Sequence, residues 1–170
     1  YAYFSSMSTS WLAHAKNFVE KMAAEFALNE SSKVIEVASN DGYLLQYVQE
    51  REIACLGVEP TASTAKIARE KGIETRELFF GSETARQLLK EGWQADLTAA
   101  NNVLAHVPDI NDFLAGFKFQ TPIVYSKNSS LVISILDLSP SCFLVSFAYT
   151  RMASRGLFTT GELGLIQEPQ

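Results

Sequence analysis

Residues 33–42 read KVIEVASNDG, and this stretch decides the fold of the chain. The run from Val34 to Ala38 is apolar apart from Glu36, which is typical of a short strand buried inside a parallel sheet. The next four residues are turn formers, and Asn40 or Asp41 is a suitable cap for a helix with an apolar face. The stretch therefore predicts a buried strand, a tight turn and a helix.

The alternation of strands and helices continues along the chain. The periodicity predicts an amphipathic helix at 11–26, strands at 53–58, 73–79 and 96–101, and helices at 61–71, 82–91 and 109–117. Strands that alternate with helices of about ten residues imply right-handed crossovers and a parallel sheet with helices on both faces. The predicted class is α/β with a Rossmann-like, doubly wound core.

Composition and charge narrow the function. With 170 residues, of which 47% are hydrophobic and 19% charged, the chain is expected to form one soluble domain. Its net charge of -5 gives no basic patch for nucleic acid. Cys55 and Cys142 lack the spacing of a zinc site or a disulfide framework, and no apolar run is long enough to span a membrane. We expect a cytoplasmic protein without a metal, a nucleic-acid partner or a membrane partner.

Two turns that follow predicted strands carry acidic residues. A parallel sheet binds ligands beyond the carboxyl ends of its strands, so Glu36 in the first strand and Glu59-Pro60 after the second are expected to share a site. A carboxylate at Glu59 is placed to accept both hydroxyls of a ribose. Taken singly, Glu59 is equally typical of a solvated strand end. The polar residues of the first turn, taken singly, are equally typical of helix caps. The pair favours an adenosine-type cofactor.

The first turn indicates which cofactor. A pyrophosphate needs several glycines at the start of the helix, but Ser39-Asn40-Asp41-Gly42 has only one. Asp41 would repel a phosphate, whereas it is tolerable beside the ammonium and sulfonium groups of S-adenosylmethionine (AdoMet). Asn40 is expected to take the left-handed conformation in place of a glycine. The turn favours AdoMet over NAD or FAD.

Residues 1 to about 118 resemble the sugar C-methyltransferases, which are AdoMet-dependent class I methyltransferases acting on nucleotide-linked 4-keto-deoxysugars. The string EVASNDGYLL is particular to that group. The resemblance rests on six motifs: YAYFSS (1–6), SWLAH (10–14), EVASNDGYLLQ (36–46), GVEP (57–60), FFG (79–81) and NNVLAHVPD (101–109).

The resemblance implies a role for each motif. The cofactor would be held by Glu36, Ser39, Asn40, Asp41 and Gly42 at its methionine part, Glu59 and Pro60 at its ribose, Phe79 and Phe80 at its adenine, and Asn101 and Asn102 on the acceptor side. The sugar would be bordered by Tyr1, Tyr3 and His106. The alternatives are core packing for Phe79, a surface position for His106 and interfacial packing for the tyrosines. In the family a base removes the proton next to the sugar ketone, and the enolate attacks the AdoMet methyl group.

The resemblance ends near Lys118. The family places its base in a Tyr-His-Glu-His-Phe segment, which is absent from this sequence, and the charged residues fall from 26 of the first 117 to 7 of the last 53. We therefore divide the chain into a helical lead-in (1–32), an AdoMet-binding core (33–117) and a tail (118–170) that replaces strand five and later elements, with a candidate strand at 131–136. The family's N-terminal zinc module and large C-terminal domain have no counterpart here, and the start without Met is typical of a cut end.

The sequence thus predicts an AdoMet-dependent methyltransferase with a nucleotide-sugar substrate. Two alternatives stay open. One is a catalytically silent AdoMet-binding fragment, favoured by the missing base segment. The other is an NAD-dependent Rossmann enzyme, which the glycine-poor turn disfavours.

Overall fold

The computed structural model describes residues 4–101, 103 and 106–120, and describes residues 130–139, 142–152 and 158–160 as strands. A 3-10 turn at Ser5–Met7 precedes the first α-helix. The remaining described elements, in chain order, are α1 (Thr9–Glu25), β1 (Lys33–Val37), α2 (Leu45–Gln49), β2 (Ala54–Val58), α3 (Ala62–Glu70), β3 (Thr75–Arg76), α4 (Ser82–Lys90), β4 (Leu97–Asn101), α5 (Ile110–Gln120), β5 (Ser130–Ser139), β6 (Cys142–Met152) and β7 (Phe158–Thr160).

The strands form one sheet in the order β3-β2-β1-β4-β5-β6-β7. Strands β1 to β5 run parallel to one another. β6 is antiparallel to β5, and β7 is antiparallel to β6. Strand order reverses between β1 and β4, which is where an open α/β sheet leaves a crevice at its carboxyl edge. The predicted Rossmann-like parallel core is confirmed, and its reversal point lies beside the turn that follows β1.

Helices cover both faces of the sheet, as predicted. Successive side chains of a strand point to opposite faces, so β1 supplies both apolar clusters. Val34 packs with Phe18, Leu45 and Ala68 from α1, α2 and α3, and Ile35 packs with Leu88, Phe113 and Phe117 from α4 and α5. Glu36 shares the face of Val34, so it is directed toward α1 and α2. Among the described helices, none is long and apolar enough to cross a bilayer.

The third strand is shorter than predicted. Only Thr75 and Arg76 pair with β2, whereas the apolar pattern had indicated 73–79. Ile73 is buried before the strand begins, and its N–H donates to the Ala68 carbonyl at the end of α3 (3.0 Å). The apolar residue therefore marks a core-packed turn and not a longer strand.

The tail supplies the fifth strand. β5 pairs in parallel with β4, with Leu97 opposite Ser130 and Asn101 opposite Ser134, and it includes the candidate segment 131–136. Helix α5 runs three residues past the predicted end at 117, because the buried Gln120 amide donates to the Ala85 carbonyl of α4 (3.1 Å). The division into three parts stays a prediction.

Helix α5 lies close to the chain before α4 at Gly116. A Cβ at this position would lie 2.8 Å from the Phe80 ring and 2.9 Å from the carbonyl carbon and oxygen of Gly81. Since the opposing atoms include backbone, the neighbours have little freedom to move away. Gly116 thus fixes the distance between α5 and the loop that carries Phe80.

We expect Gly116→Ala to lower the free energy of unfolding by about 1–2 kcal/mol, because the clash outweighs the gain of about 1 kcal/mol in helix propensity. Urea denaturation measures the change. Lys118→Ala, at an exposed position of the same helix, is the control and should change stability by about 0.5 kcal/mol or less. Equal stability of Gly116→Ala and the wild type would contradict the close packing.

Candidate functional site

The turn after β1 has an unusual backbone. Asn40 has φ 52° and Gly42 has φ 76°, so the predicted left-handed conformation of Asn40 is confirmed. Ala38 also has a positive φ of 57°, which the sequence did not indicate. A left-handed alanine costs about 1–2 kcal/mol, and here its N–H donates to the Val58 carbonyl of β2 (2.8 Å). The turn is bent over the end of β2.

Glu36 lies in this turn's strand with its side chain fully buried. Its Oε1 accepts a hydrogen bond from the Asn101 amide (3.4 Å). Burial raises the pKa of Glu36 well above its usual range, and the polar side chains of Asn101 and Tyr43 offset the rise only in part. Burial, followed by the charge of Glu36, raises the pKa of Tyr43 as well. Glu36, Tyr43 and Asn101 form a polar cluster at the reversal point.

Two buried polar atoms at this turn have no partner within the described residues. They are Glu36 Oε2 and Ser39 Oγ, and the third such atom, Gln120 Oε1, lies outside the turn. Ser39 packs directly against Gly57 of β2, where a Cβ would collide with its hydroxyl. Buried polar groups are almost always hydrogen-bonded, so two open ones in a single turn indicate a position for a polar ligand.

Glu59 joins the end of β2 to the same turn. Its side chain is almost fully buried, with Oε2 accepting from the Asn40 N–H (2.9 Å) and Oε1 from the Thr61 N–H (2.8 Å). The sequence did not indicate this backbone role. A carboxylate has about four acceptor positions, so each oxygen keeps one for a further donor such as a ribose hydroxyl.

Asn40 and Asp41 do not cap a helix, contrary to the prediction. Helix α2 begins only at Leu45, with Leu44 at its cap position and no side-chain capping bond. The reason is that both side chains are engaged elsewhere: Asn40 Oδ1 accepts from the Ser5 N–H (3.0 Å), and the Asp41 carboxylate accepts from the Ser6 N–H (3.3 Å) and hydroxyl. The turn therefore holds the start of the chain.

Lys71 completes this contact, which we call the N-terminal clamp (Ser5, Ser6, Asn40, Asp41 and Lys71). Its Nζ lies 2.8 Å from the Asp41 carbonyl oxygen, 3.4 Å from the Asp41 carboxylate and 3.2 Å from the Ser6 hydroxyl. The Asp41 side chain is 1% exposed and that of Lys71 32%. Lys71 neutralises the buried acid, and no signal in the sequence connects residues so far apart.

A cavity of about 320 Å³ opens beside Glu59 and Pro60 at the same edge of the sheet. Phe80 lines it and contacts the rings of Phe113, which also lines the cavity, and of Phe117, at centroid distances of 5.8 and 4.8 Å. Phe79 also lines the cavity but is 71% exposed, so the alternative that it is core is wrong. A cavity with aromatic walls next to a buried acid is typical of a nucleoside site.

The structure brings together most of the predicted site residues. Glu59, Pro60, Phe79, Phe80 and the exposed His106 line the cavity. Glu36 contacts Asn101 at the end of β4, Ser39 packs against Gly57 of β2, and Asp41 is turned toward the N-terminal segment. Tyr1, Tyr3 and Asn102 lie outside the described residues. Val103, Asp109 and Asp112 also line the cavity and were missed by the assignment of roles, although Asp109 stands in the NNVLAHVPD motif.

The sheet order, the reversal point and the turn define the Rossmann-like fold of class I AdoMet methyltransferases. Solved structures with this fold include the PH0226 protein of Pyrococcus horikoshii (TM-score 0.60, 15% identity, 80% of this chain and 63% of that chain). A SAM-dependent methyltransferase of Archaeoglobus fulgidus gives a TM-score of 0.56 at 17% identity, covering 74% of this chain and 53% of that one. Magnesium protoporphyrin IX methyltransferase from Synechocystis, solved with bound SAM, gives 0.55 at 15% identity over 74% and 59%.

In sequence, the chain is similar to the C-methyltransferase NovU of Streptomyces niveus, with 28% identity over 116 residues. The match covers 68% of this chain and 28% of the relative, so the chain spans well under half of that protein's length. No protein-family profile matches the chain. The resemblance to C-methyltransferases drawn from the motifs is confirmed.

The buried Glu36 predicts a pH dependence of stability. Because its folded-state pKa is raised, the folded protein keeps a proton that the unfolded chain releases near the ordinary pKa of 4.5. Its contribution is full below that pH and is lost as the pH rises toward the folded-state pKa. Glu36→Gln removes this titration, so as the pH rises above the ordinary pKa its free energy of unfolding should fall less than that of the wild type, by up to about 1.4 kcal/mol per pH unit.

Urea denaturation of both proteins at a series of pH values measures this difference. Since all other titrating groups are shared, the two curves isolate Glu36. Curves that run parallel over the whole range would mean that Glu36 ionises in the folded protein as it does in the unfolded chain.

The N-terminal clamp predicts a large effect at Lys71. Lys71→Met leaves the buried Asp41 carboxylate without its cation, and we expect a loss of about 1–3 kcal/mol in thermal or urea denaturation. Lys66→Met is the matched control, because Lys66 pairs with Glu70 on the exposed surface (72% and 57% exposed) and should contribute about 0.5 kcal/mol or less. Equal losses in the two variants would show that Lys71 contributes no more to stability than a lysine in a surface ion pair.

Proposed function

We propose that residues 33–117 bind AdoMet and that the protein acts as an AdoMet-dependent methyltransferase on a nucleotide-linked keto-deoxysugar, in the cytoplasm. The observation that carries the proposal is the pair of unpartnered buried atoms, Glu36 Oε2 and Ser39 Oγ, in a glycine-poor turn beside the acid Glu59. The similarity to a C-methyltransferase supports the same reading.

The described residues fit the parts of AdoMet. The open atoms of Glu36 and Ser39 suit the polar amino acid portion, and the remaining acceptor positions of Glu59 suit the ribose hydroxyls. The cavity walls at Pro60 and Phe80 suit a flat, apolar purine. When bound, AdoMet supplies an electrophilic methyl group.

The turn is poorly suited to a dinucleotide. A pyrophosphate needs free backbone N–H groups at a helix start, but the N–H groups of Asn40 and Gly42 are bonded to Glu59 (2.9 Å) and to the Ser39 carbonyl (3.0 Å). NAD is therefore the weaker candidate.

The proposed sugar substrate rests on the resemblance to the sugar C-methyltransferases. The sequence has two histidines. His14 stacks on Trp11 at 5.6 Å, and burial lowers its pKa, so at neutral pH it is an uncharged packing residue. His106 lines the cavity and belongs with Tyr1 and Tyr3 to the residues proposed to border the sugar. The absence of the Tyr-His-Glu-His-Phe string favours a second candidate function, an AdoMet-binding fragment without catalysis.

Isothermal titration tests the cofactor. We expect AdoMet to bind and NAD not to bind under the same conditions, and Glu59→Gln to weaken AdoMet by about 1–3 kcal/mol through its ribose contact. Glu83→Gln, an exposed acid in the first turn of α4, is the control and should bind as the wild type does.

Binding of NAD but not AdoMet would overturn the assignment. An unchanged affinity in Glu59→Gln would remove Glu59 from the site while leaving AdoMet as the cofactor. Transfer of a labelled methyl group to a nucleotide-linked 4-keto-sugar separates the enzyme from the silent binding fragment, since only the enzyme gives product.

A further inference from the structure

Residues 4–8, which we call the N-terminal strap, are bonded to the turn after β1. The Ser5 N–H donates to Asn40 Oδ1 (3.0 Å), and the Ser6 N–H donates to the Asp41 carboxylate (3.3 Å). Two successive backbone donors of the strap thus meet two successive side chains of the turn.

The strap is held mainly by these polar bonds. Among its side chains only that of Ser5 is buried, and that of Met7 is 81% exposed. A hydrogen bond at a partly exposed position contributes little net free energy, because water competes for the same groups. A segment held by a few such bonds opens locally far more often than the core of the protein unfolds.

The turn has a backbone shape that must be held in place. Ala38 and Asn40 both have a positive φ, of 57° and 52°, and they lie on either side of Ser39. This conformation is costly for alanine and somewhat less so for asparagine. The turn therefore depends on contacts with other segments to keep its shape.

Two segments supply these contacts. The first is the end of β2, where the Val58 carbonyl accepts from the Ala38 N–H (2.8 Å) and Glu59 Oε2 accepts from the Asn40 N–H (2.9 Å). The second is the strap, which donates to the side chains of Asn40 and Asp41. Asn40 is thus bonded to the strap through its side chain and to Glu59 through its backbone.

A polar ligand at the turn would favour the same shape. Ser39 Oγ, between the two left-handed residues, and Glu36 Oε2, in the strand before them, are buried and have no partner within the described residues. A ligand that bonds to these atoms stabilises the backbone that presents them. The closed strap stabilises that backbone as well, because it needs Asn40 and Asp41 in their present positions. Two contacts that select one conformation strengthen each other.

We propose that the N-terminal strap is a closing device coupled to the ligand: closure of the strap favours binding at the turn after β1, and binding favours closure. The inference rests on the proposed AdoMet site, since it needs a ligand at Glu36 and Ser39. Asn40 is the positioning residue that the strap and the site share. The shared turn carries the coupling, so the strap does not have to touch the ligand.

Amide hydrogen exchange measures the opening of the strap. The N–H groups of Ser5 and Ser6 exchange when their bonds to the turn break. We expect saturating S-adenosylhomocysteine, an unreactive ligand, to slow the exchange of both by about ten-fold or more. The reference is the Ser31 N–H, which is bonded to Asn29 Oδ1 (3.0 Å) in an exposed turn at the other end of β1. Its exchange rate should be the same with and without the ligand.

Ser5→Pro breaks the strap without altering the turn. It removes the N–H that Asn40 accepts, and proline suits the first residue of the 3-10 turn because Phe4 before it is extended (φ -97°, ψ 110°). We expect S-adenosylhomocysteine to bind this variant about ten-fold more weakly in isothermal titration. This factor should match the factor by which the ligand slows exchange in the wild type, because a coupling free energy is equal in both directions.

Thr9→Pro is the matched control. Thr9 is the first residue of α1, where a backbone N–H has no partner inside the helix, and Ser8 before it is also extended (φ -99°, ψ 114°). The variant places the same residue four positions further along the chain and should bind the ligand as the wild type does.

The outcomes separate the two proposals. If the wild type does not bind S-adenosylhomocysteine, the AdoMet site fails and the coupling fails with it. If the ligand binds but exchange at Ser5 and Ser6 is unchanged, or slows only as much as at Ser31, the coupling alone is overturned. Equal affinities in Ser5→Pro and Thr9→Pro overturn it as well. The exchange measurement uses the wild type, so it decides the matter whatever the stability of the variants.

Discussion

The carboxylate of Glu59, just after β2, is bonded to the N–H of Asn40 in the turn after β1, 19 residues earlier in the chain. Together with the bond from the Ala38 N–H to the Val58 carbonyl, this contact fixes the left-handed turn over β2. The turn directly follows Glu36 in β1 and carries Ser39, the two residues with open buried atoms, and it carries Asp41, which holds the start of the chain. One buried acid at the end of a strand thus organises both the ligand side and the opposite side of the site.

The order of strands and helices up to α5 was predictable from the sequence, because buried parallel strands and amphipathic helices have distinct apolar periods. The residues at which the strands and helices begin and end were less predictable. An apolar residue such as Ile73 is buried whether it lies in a strand or in a core-packed turn, and the pattern alone cannot separate these cases. The sheet order was not predictable either, since pairing depends on contacts between distant segments.

The candidate site was also predictable only in part. The left-handed Asn40 was predictable because asparagine adopts that conformation more readily than other residues with side chains, whereas Ala38 gives no such signal. The role of Asp41 was misjudged, because a polar residue before a helix is a natural cap and its real partners, Ser6 and Lys71, are 35 and 30 residues away. Local chemistry is readable in a sequence, but the partners of a buried charge are set by the tertiary fold.

The N-terminal clamp has a consequence for the order in which the protein assembles. Ser6 can meet Asp41 and Lys71 only after β1, α2, β2 and α3 have come together, and the contact from Ser6 to Lys71 spans 65 residues. Loop closure of that length costs entropy before the contact gives anything back. The first residues of the chain are therefore expected to dock late, onto a core that is already formed, and to be among the first parts to leave it when the protein opens.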